Sequence, residues 1–254
     1  MLLVMDVGNT NTVLGVYAGD EIVARWRLTT ERDRTIDEYG ILCRNLFTLA
    51  KLDFTAIKAI AISSVVPTLN FTLYKMAITY FHLEPLFEPE KNSGIKIHYD
   101  TPQAVGADRV VNAVAAFHKY GGPCIVVDFG TATTFDAISP TGDYLGGVIT
   151  PGVQISSEAL FLRASRLPRV QIRHPEKVVG TSTIMSIQSG LYFGYIGLVD
   201  GILTRMIDEL GPQKTVIATG GLAPLIGKGS AIIEIIDDDL LLEGLKLIYE
   251  RNQG

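Results

Sequence analysis

The chain has 254 residues, 47% of them apolar, enough for a full hydrophobic core in one large domain or two of ordinary size. Its net charge is −5 and no basic stripe stands out, which argues against a nucleic-acid partner. The longest apolar runs, such as Ala59 to Val66, are too short to span a bilayer, so no membrane association is expected.

Asp6 interrupts the N-terminal apolar run, which also lacks a basic start, so it does not read as a signal peptide. Cys43 and Cys124 fit no metal or redox spacing and read as reduced core thiols. The expectation is a cytoplasmic protein.

In chain order, Leu2 to Val7, Thr12 to Tyr17 and Glu21 to Leu28 are short β-rich runs separated by Gly-Asn and Gly-Asp turn signals. They predict antiparallel hairpins. Ile36 to Leu52 reads as an amphipathic helix and Lys58 to Val66 as a buried strand. Pro67 sits where a helix can begin, running to about His82. A short strand at Glu84 to Glu88 and a loop with Pro89, Gly94 and Pro102 precede a helix over 106–119, where Val110, Val111, Val114 and Phe117 form a stripe. The pattern then repeats: strands at Ile125 to Phe129, Thr133 to Ser139 and Tyr144 to Ile149, with Pro151 opening a helix. A loop over 163–181 leads into a helix from Thr183 to Leu210. A strand at Lys214 to Ala218, a Gly220-Gly221 turn and a helix near Leu240 to Arg251 complete the chain. This order predicts, in each half, a mixed sheet flanked by helices, with right-handed crossovers in its parallel part.

Two stretches carry chemistry. In VMDVGNTNTVLG and IVVDFGTATTFDAI, Asp6 and Asp128 end apolar runs, Gly8 and Gly130 follow two residues later, and Thr12 matches Thr134 in spacing. The repeat suggests two similar halves sharing one site. A glycine-tipped hairpin with small hydroxyl and amide side chains offers oriented backbone N–H groups to phosphate oxygens. The aspartate can hold a cation beside them, which explains the missing lysine. No P-loop, dinucleotide fingerprint, nucleophile elbow or HExxH pair occurs, and the histidines at 82, 98, 118 and 174 share no metal spacing. Asp108 lies in the first turn of its helix, where the dipole favours the ionised form, and Arg109 beside it offers a fork for anionic groups. Such an aspartate suits proton removal from a hydroxyl. Tyr99 either walls a pocket or plugs a gap; Gly220-Gly221 either packs against an adenine ring or makes an ordinary turn.

Further motifs are ISSVVP at 62–67, YDTPQAVGADR at 99–109, ITPGVQISSEAL at 149–160, LPRV at 167–170 and SIQSGLYFGYIGLVDG at 186–201. With DVGNTNT at 6–12 and DFGTATTFD at 128–136, they run in order over nearly the whole chain. In this the sequence resembles bacterial type III pantothenate kinases, of the actin, Hsp70 and sugar-kinase superfamily. The resemblance implies an α/β fold of two ribonuclease H-like (actin-like) halves, each with three antiparallel strands plus parallel strands, divided as 1–115 and 116–254. It implies ATP-dependent phosphorylation of the primary hydroxyl of pantothenate, the first committed step toward coenzyme A. Asp6, Val7, Gly8, Asn9, Thr10, Asn11, Thr12 and Val13 would bind ATP phosphates with magnesium, and Thr131 would contribute from the second hairpin. Asp108 would be the general base. Tyr99, Gly106, Ala107, Asp108, Arg109 and Thr183 would contact pantothenate, and Asp128 a monovalent cation, K+ or NH4+. A homodimer is implied as well.

The chain departs from the family at Gly180-Thr181-Ser182-Thr183, where a basic residue and then Asn or Asp commonly precede the substrate-binding Thr, so Thr181 stays an alternative to Thr183. The loop EPEKNSG at 88–94 departs from the usual proline-glycine-rich form. Val7 and Phe129 stand where an aspartic protease carries Thr or Ser, and Gly8 and Gly130 where a haloacid-dehalogenase-like phosphatase carries its second Asp. A non-catalytic regulator on the same fold is the remaining rival, and it would be marked by loss of Asp6, Asp108 or Asp128.

Overall fold

The computed structural model describes residues 1–87 and 92–253. The first four residues of the departing loop at 88–94, with Glu88 of the expected strand, lie outside that range. The chain divides into two compact units, one of Met1–Ile95, Thr101–Ala115 and Leu240–Gly254, the other of Lys96–Asp100 and Ala116–Asp239.

In the first unit, β1 (Leu2–Val7), β2 (Asn11–Ala18), β3 (Glu21–Thr29), β4 (Ala59–Ser64) and β5 (Leu86–Phe87) form one sheet in the order β3-β2-β1-β4-β5. The first three strands are antiparallel, whereas β1, β4 and β5 run parallel. Alternation sends Leu3, Met5, Val7, Ile60 and Ile62 to one face, where they meet Tyr39, Cys43 and Phe47 of α1 (Ile36–Leu49) and Leu69, Leu73 and Met76 of α2 (Pro67–Met76). A Thr35/Glu38 capping box opens α1, a device worth about 1 kcal/mol. Pro67 at the start of α2 gives up no needed N–H, and a π-turn over Ala77–Phe81 ends at His82 in the left-handed conformation. The opposite face, Val4, Tyr17 and Ala61, is covered by Val111 and Val114 of α3 (Ala107–Tyr120) and by Leu242, Leu245 and Ile248 of α7 (Leu240–Arg251). The C-terminal helix therefore crosses the division expected at 115/116. Its amphipathic pattern fixes a helix but not the sheet that its apolar stripe covers.

In the second unit, β6 (Cys124–Phe129), β7 (Ala132–Ile138), β8 (Tyr144–Pro151), β9 (Thr215–Thr219) and β10 (Ile235–Ile236) form a sheet in the order β10-β9-β6-β7-β8. Its arrangement repeats the first: an antiparallel meander, then two parallel strands. Ile125, Val127, Phe129, Phe135 and Val216 pack against Leu191, Tyr195, Val199 and Leu203 of α5 (Thr183–Leu210), against Val153 of α4 (Val153–Arg163) and against α6 (Ala223–Ile226).

Two expectations shift. Pro151 opens no helix; it is the last residue of β8, paired with Ala132, and α4 begins at Val153 behind the Gly152 cap. The counterpart of Thr12 is Thr133, not Thr134. Thr12 pairs with Val7 and Thr133 with Phe129, so the second turn is one residue shorter and spacing alone slips the match. Cys43 and Cys124 are both buried free thiols, and burial pushes each up to about 12. Among the described residues no helix is long and apolar enough to cross a membrane.

Candidate active site

The first hairpin turns over Gly8, Asn9 and Thr10, with the Gly8 N–H donating to the Asn11 carbonyl at 3.0 Å. Asn9 and Thr10 are exposed, Asp6, Gly8, Asn11 and Val13 half-buried, and Val7 and Thr12 fully buried. Thr30, beyond the end of β3, braces the turn. Its hydroxyl donates to the Gly8 carbonyl at 2.7 Å and its N–H to the Thr10 carbonyl at 3.0 Å. The Thr12 hydroxyl lies 2.9 Å from that of Thr30; since Thr30 spends its one proton on Gly8, Thr12 is the donor. Val7 and Thr12 therefore support the turn rather than line it, and the residues open to a ligand are the glycine, the amides and the Thr10 tip. Asp6 shares its face of β1 with Leu2 and Val4, the face covered by α3 and α7. Ser63 is its in-register neighbour on β4, buried, with a hydroxyl that makes no hydrogen bond among the described residues.

On α3, Asp108 folds back over the helix start and accepts the Arg109 N–H at 2.9 Å. A Cβ on residue 106 would stand 2.6 Å from the Asp108 Oδ1, so glycine leaves room for the carboxyl group where it lies. Burial raises the Asp108 pKa, opposed by that N–H and by the Arg109 guanidinium. The helix terminus favours the ionised form; burial outweighs it and the net direction is upward. Ala107 and Arg109 are buried, Arg109 to 6% exposure, so its guanidinium is withdrawn from bulk water rather than presented on the surface.

The second unit holds the remaining candidates. Asp128 is half-buried at the end of β6, paired across the hairpin with Thr134, and Gly130 and Thr131 are exposed in the turn. The Gly152 N–H donates to the Thr131 carbonyl at 3.2 Å, tying the turn to the start of α4. Gly220 has φ +91°, and a Cβ there would strike the Asp128 carboxylate and the Phe129 backbone. Its glycine is thus accounted for without a ligand. Tyr99 is 40% exposed, its ring tilted 61° to Tyr144 with centroids 6.5 Å apart. Thr183, exposed, is the first residue of α5; the cap is Ser182, which accepts the Met185 N–H at 3.3 Å, while the Thr181 hydroxyl turns to the Met185 sulfur at 3.7 Å.

Asp6 to Val13 and Gly106 to Arg109 are thus gathered in one unit; Tyr99, Asp128, Thr131 and Thr183 in the other. Thr30, Asp136 and Tyr144 escaped the sequence reading. A signal existed for Asp136, an acid in the otherwise uncharged run Thr133 to Ile138; none marked Thr30.

A type III pantothenate kinase family model matches residues 2–205. The type III pantothenate kinase of Koribacter versatilis is 58% identical over 265 residues, spanning 100% of this chain and 97% of that protein. That of an Anaeromyxobacter species is 57% identical over 254 residues, all of both chains. Among solved structures, the activator of the 2-hydroxyisocaproyl-CoA dehydratase from Clostridium difficile with bound ADPNP superposes with a TM-score of 0.53. It is 13% identical over 99% of this chain and 96% of that one, a likeness of fold alone. On the strength of the full-length identity and the doubled hairpin sheet, the chain belongs to the type III pantothenate kinase family.

Proposed function

We propose that the chain transfers the γ-phosphoryl group of ATP to the primary hydroxyl of pantothenate, with Asp108 as the general base. The observation that carries this reading is the Asp108 carboxyl at the start of α3. It is held by the Arg109 N–H, raised in pKa by burial, and carried by the same unit as the Asp6 hairpin. A carboxylate takes a hydroxyl proton more readily as its pKa approaches the working pH. Phosphoryl transfer otherwise asks the protein for positioning and charge.

The backbone of Gly8 to Asn11 would receive the phosphates, braced by Thr12 and Thr30, with Thr131 contributing from the second hairpin. Bound Mg2+ supplies the positive charge that other nucleotide loops take from a lysine. Magnesium sites commonly use one or two carboxylates plus substrate phosphates. Asp6 meets that need, with the buried Ser63 hydroxyl beside it in register. Asp128, with the Thr134 hydroxyl across the hairpin, suits a monovalent cation bound through oxygens. Tyr99, the Gly106 to Arg109 segment and Thr183 would contact pantothenate; Thr181, already turned to Met185, is the weaker choice.

A homodimer fits the apolar side chains left exposed on β8, on α4 and ahead of α5, among them Ile149, Leu162, Val178 and Val179. A non-catalytic regulator is not favoured, because Asp6, Asp108 and Asp128 are all present. Asp108→Asn should lower turnover about 10²- to 10⁴-fold while the fold survives, because it removes a base and little volume. A variant that stays folded with near wild-type turnover would refute the assignment.

A further inference from the structure

We infer that Asp136 and Tyr144 form a buried strut that sets the position of Tyr99, and through it the affinity for the pantothenate acceptor. The inference rests on the reading of Tyr99 as an acceptor contact and adds two positioning residues behind it.

Asp136, on β7, is fully buried, and a carboxyl group in such a place is retained only with good partners. It accepts the Tyr144 hydroxyl at 2.8 Å and the Thr134 hydroxyl at 3.1 Å. Neither Asp136 nor Tyr144 reaches solvent, so neither can itself meet a substrate.

Tyr144 instead grips the segment that carries Tyr99. Its N–H donates to the Lys96 carbonyl and its carbonyl accepts the His98 N–H, both at 2.8 Å, in a parallel bridge with Ile97. Tyr99 is the next residue, and its half-exposed ring meets the Tyr144 ring edge-on. The Tyr144 ring is already fully buried, and its hydroxyl bond to a buried carboxyl group fixes it further as the wall that the Tyr99 ring meets. Asp136 thus acts at one remove, aiming Tyr144, which grips the backbone just before Tyr99 and meets the Tyr99 ring.

The test is steady-state kinetics on Tyr144→Phe, which keeps the ring and removes the hydroxyl, with Asp136→Asn as a second variant and Tyr99→Ala as the reference. For Tyr144→Phe the pantothenate KM should rise about 3- to 10-fold, the scale of one lost hydrogen bond. The ATP KM should stay within about twofold, since nothing on the phosphate side is touched. In the Tyr99→Ala background, Tyr144→Phe should add nothing, because both act through one ring. A merely structural role would shift both KM values together, or would add its full effect in that background; either result overturns the strut. An effect of Tyr99→Ala on pantothenate KM without one from Tyr144→Phe also overturns it, leaving the Tyr99 reading intact. A Tyr99→Ala enzyme with unchanged pantothenate KM would remove the Tyr99 reading and the strut with it.

Discussion

The two Asp-x-Gly hairpins begin alike and are finished differently. In the first, a longer turn leaves Asn9 and Thr10 exposed and is braced by side chains, Thr12 to Thr30 and Thr30 to the Gly8 carbonyl. In the second, the turn is one residue shorter and is closed by backbone: Gly152 bonds the Thr131 carbonyl and Gly220 presses on Asp128. Opposite Asp6 stands Val13; opposite Asp128 stands the hydroxyl-bearing Thr134. One motif can therefore serve two tasks. An open turn of amides suits an anion, and a carboxylate among oxygens suits a cation.

The largest effects should separate the aspartates. Asp6→Asn should reduce turnover about 10²- to 10³-fold at every potassium concentration, the scale of losing one preorganised charge contact. Asp128→Ala should lose chiefly its response to potassium, so that a titration of rate against K+ flattens. Identical potassium curves for the two variants would break the division of labour.

Next comes pH. Only the ionised Asp108 can accept a proton, and burial raises its pKa. The rate kcat/KM should therefore fall as pH drops through a value above the ordinary aspartate pKa of about 3.9. A pH profile of Asp108→Asn should lack that acid limb.

The smallest effect sets Thr12 against its counterpart Thr133. Thr12→Val removes a working hydrogen bond and should cost about 1 kcal/mol in chemical denaturation. Thr133 makes no side-chain hydrogen bond among the described residues, so Thr133→Val should be neutral or stabilising. Equal losses at both sites would show that the hairpins are braced alike.

Local pattern carried much of this into the sequence. The helix from Thr183 to Leu210 could be read to its ends, because Ser182 caps it and Gly211 stops it. The strands of both meanders were legible from apolar runs between glycine turns. What pattern did not report was register, strand ends and very short elements. A one-residue difference in turn length slipped the Thr12 match, since period and spacing do not report register. Pro151 reads as a helix start, yet at the end of β8 it still pairs with Ala132. The two-residue β10 and four-residue α6 are too short to leave a periodic signal. At the site, Asp6, Asp108 and Asp128 stood out as charges ending or opening apolar elements. Thr30 and Tyr144 did not, because Thr30 acts on Gly8 and Tyr144 on Lys96 and His98, partners far away in the chain.

The kinase assignment is tested most directly by phosphate transfer from ATP to pantothenate by the intact protein with magnesium, measured with and without potassium. Formation of 4'-phosphopantothenate that rises sharply with potassium is the expected result. A folded, ATP-binding protein that makes no product under either condition would contradict it.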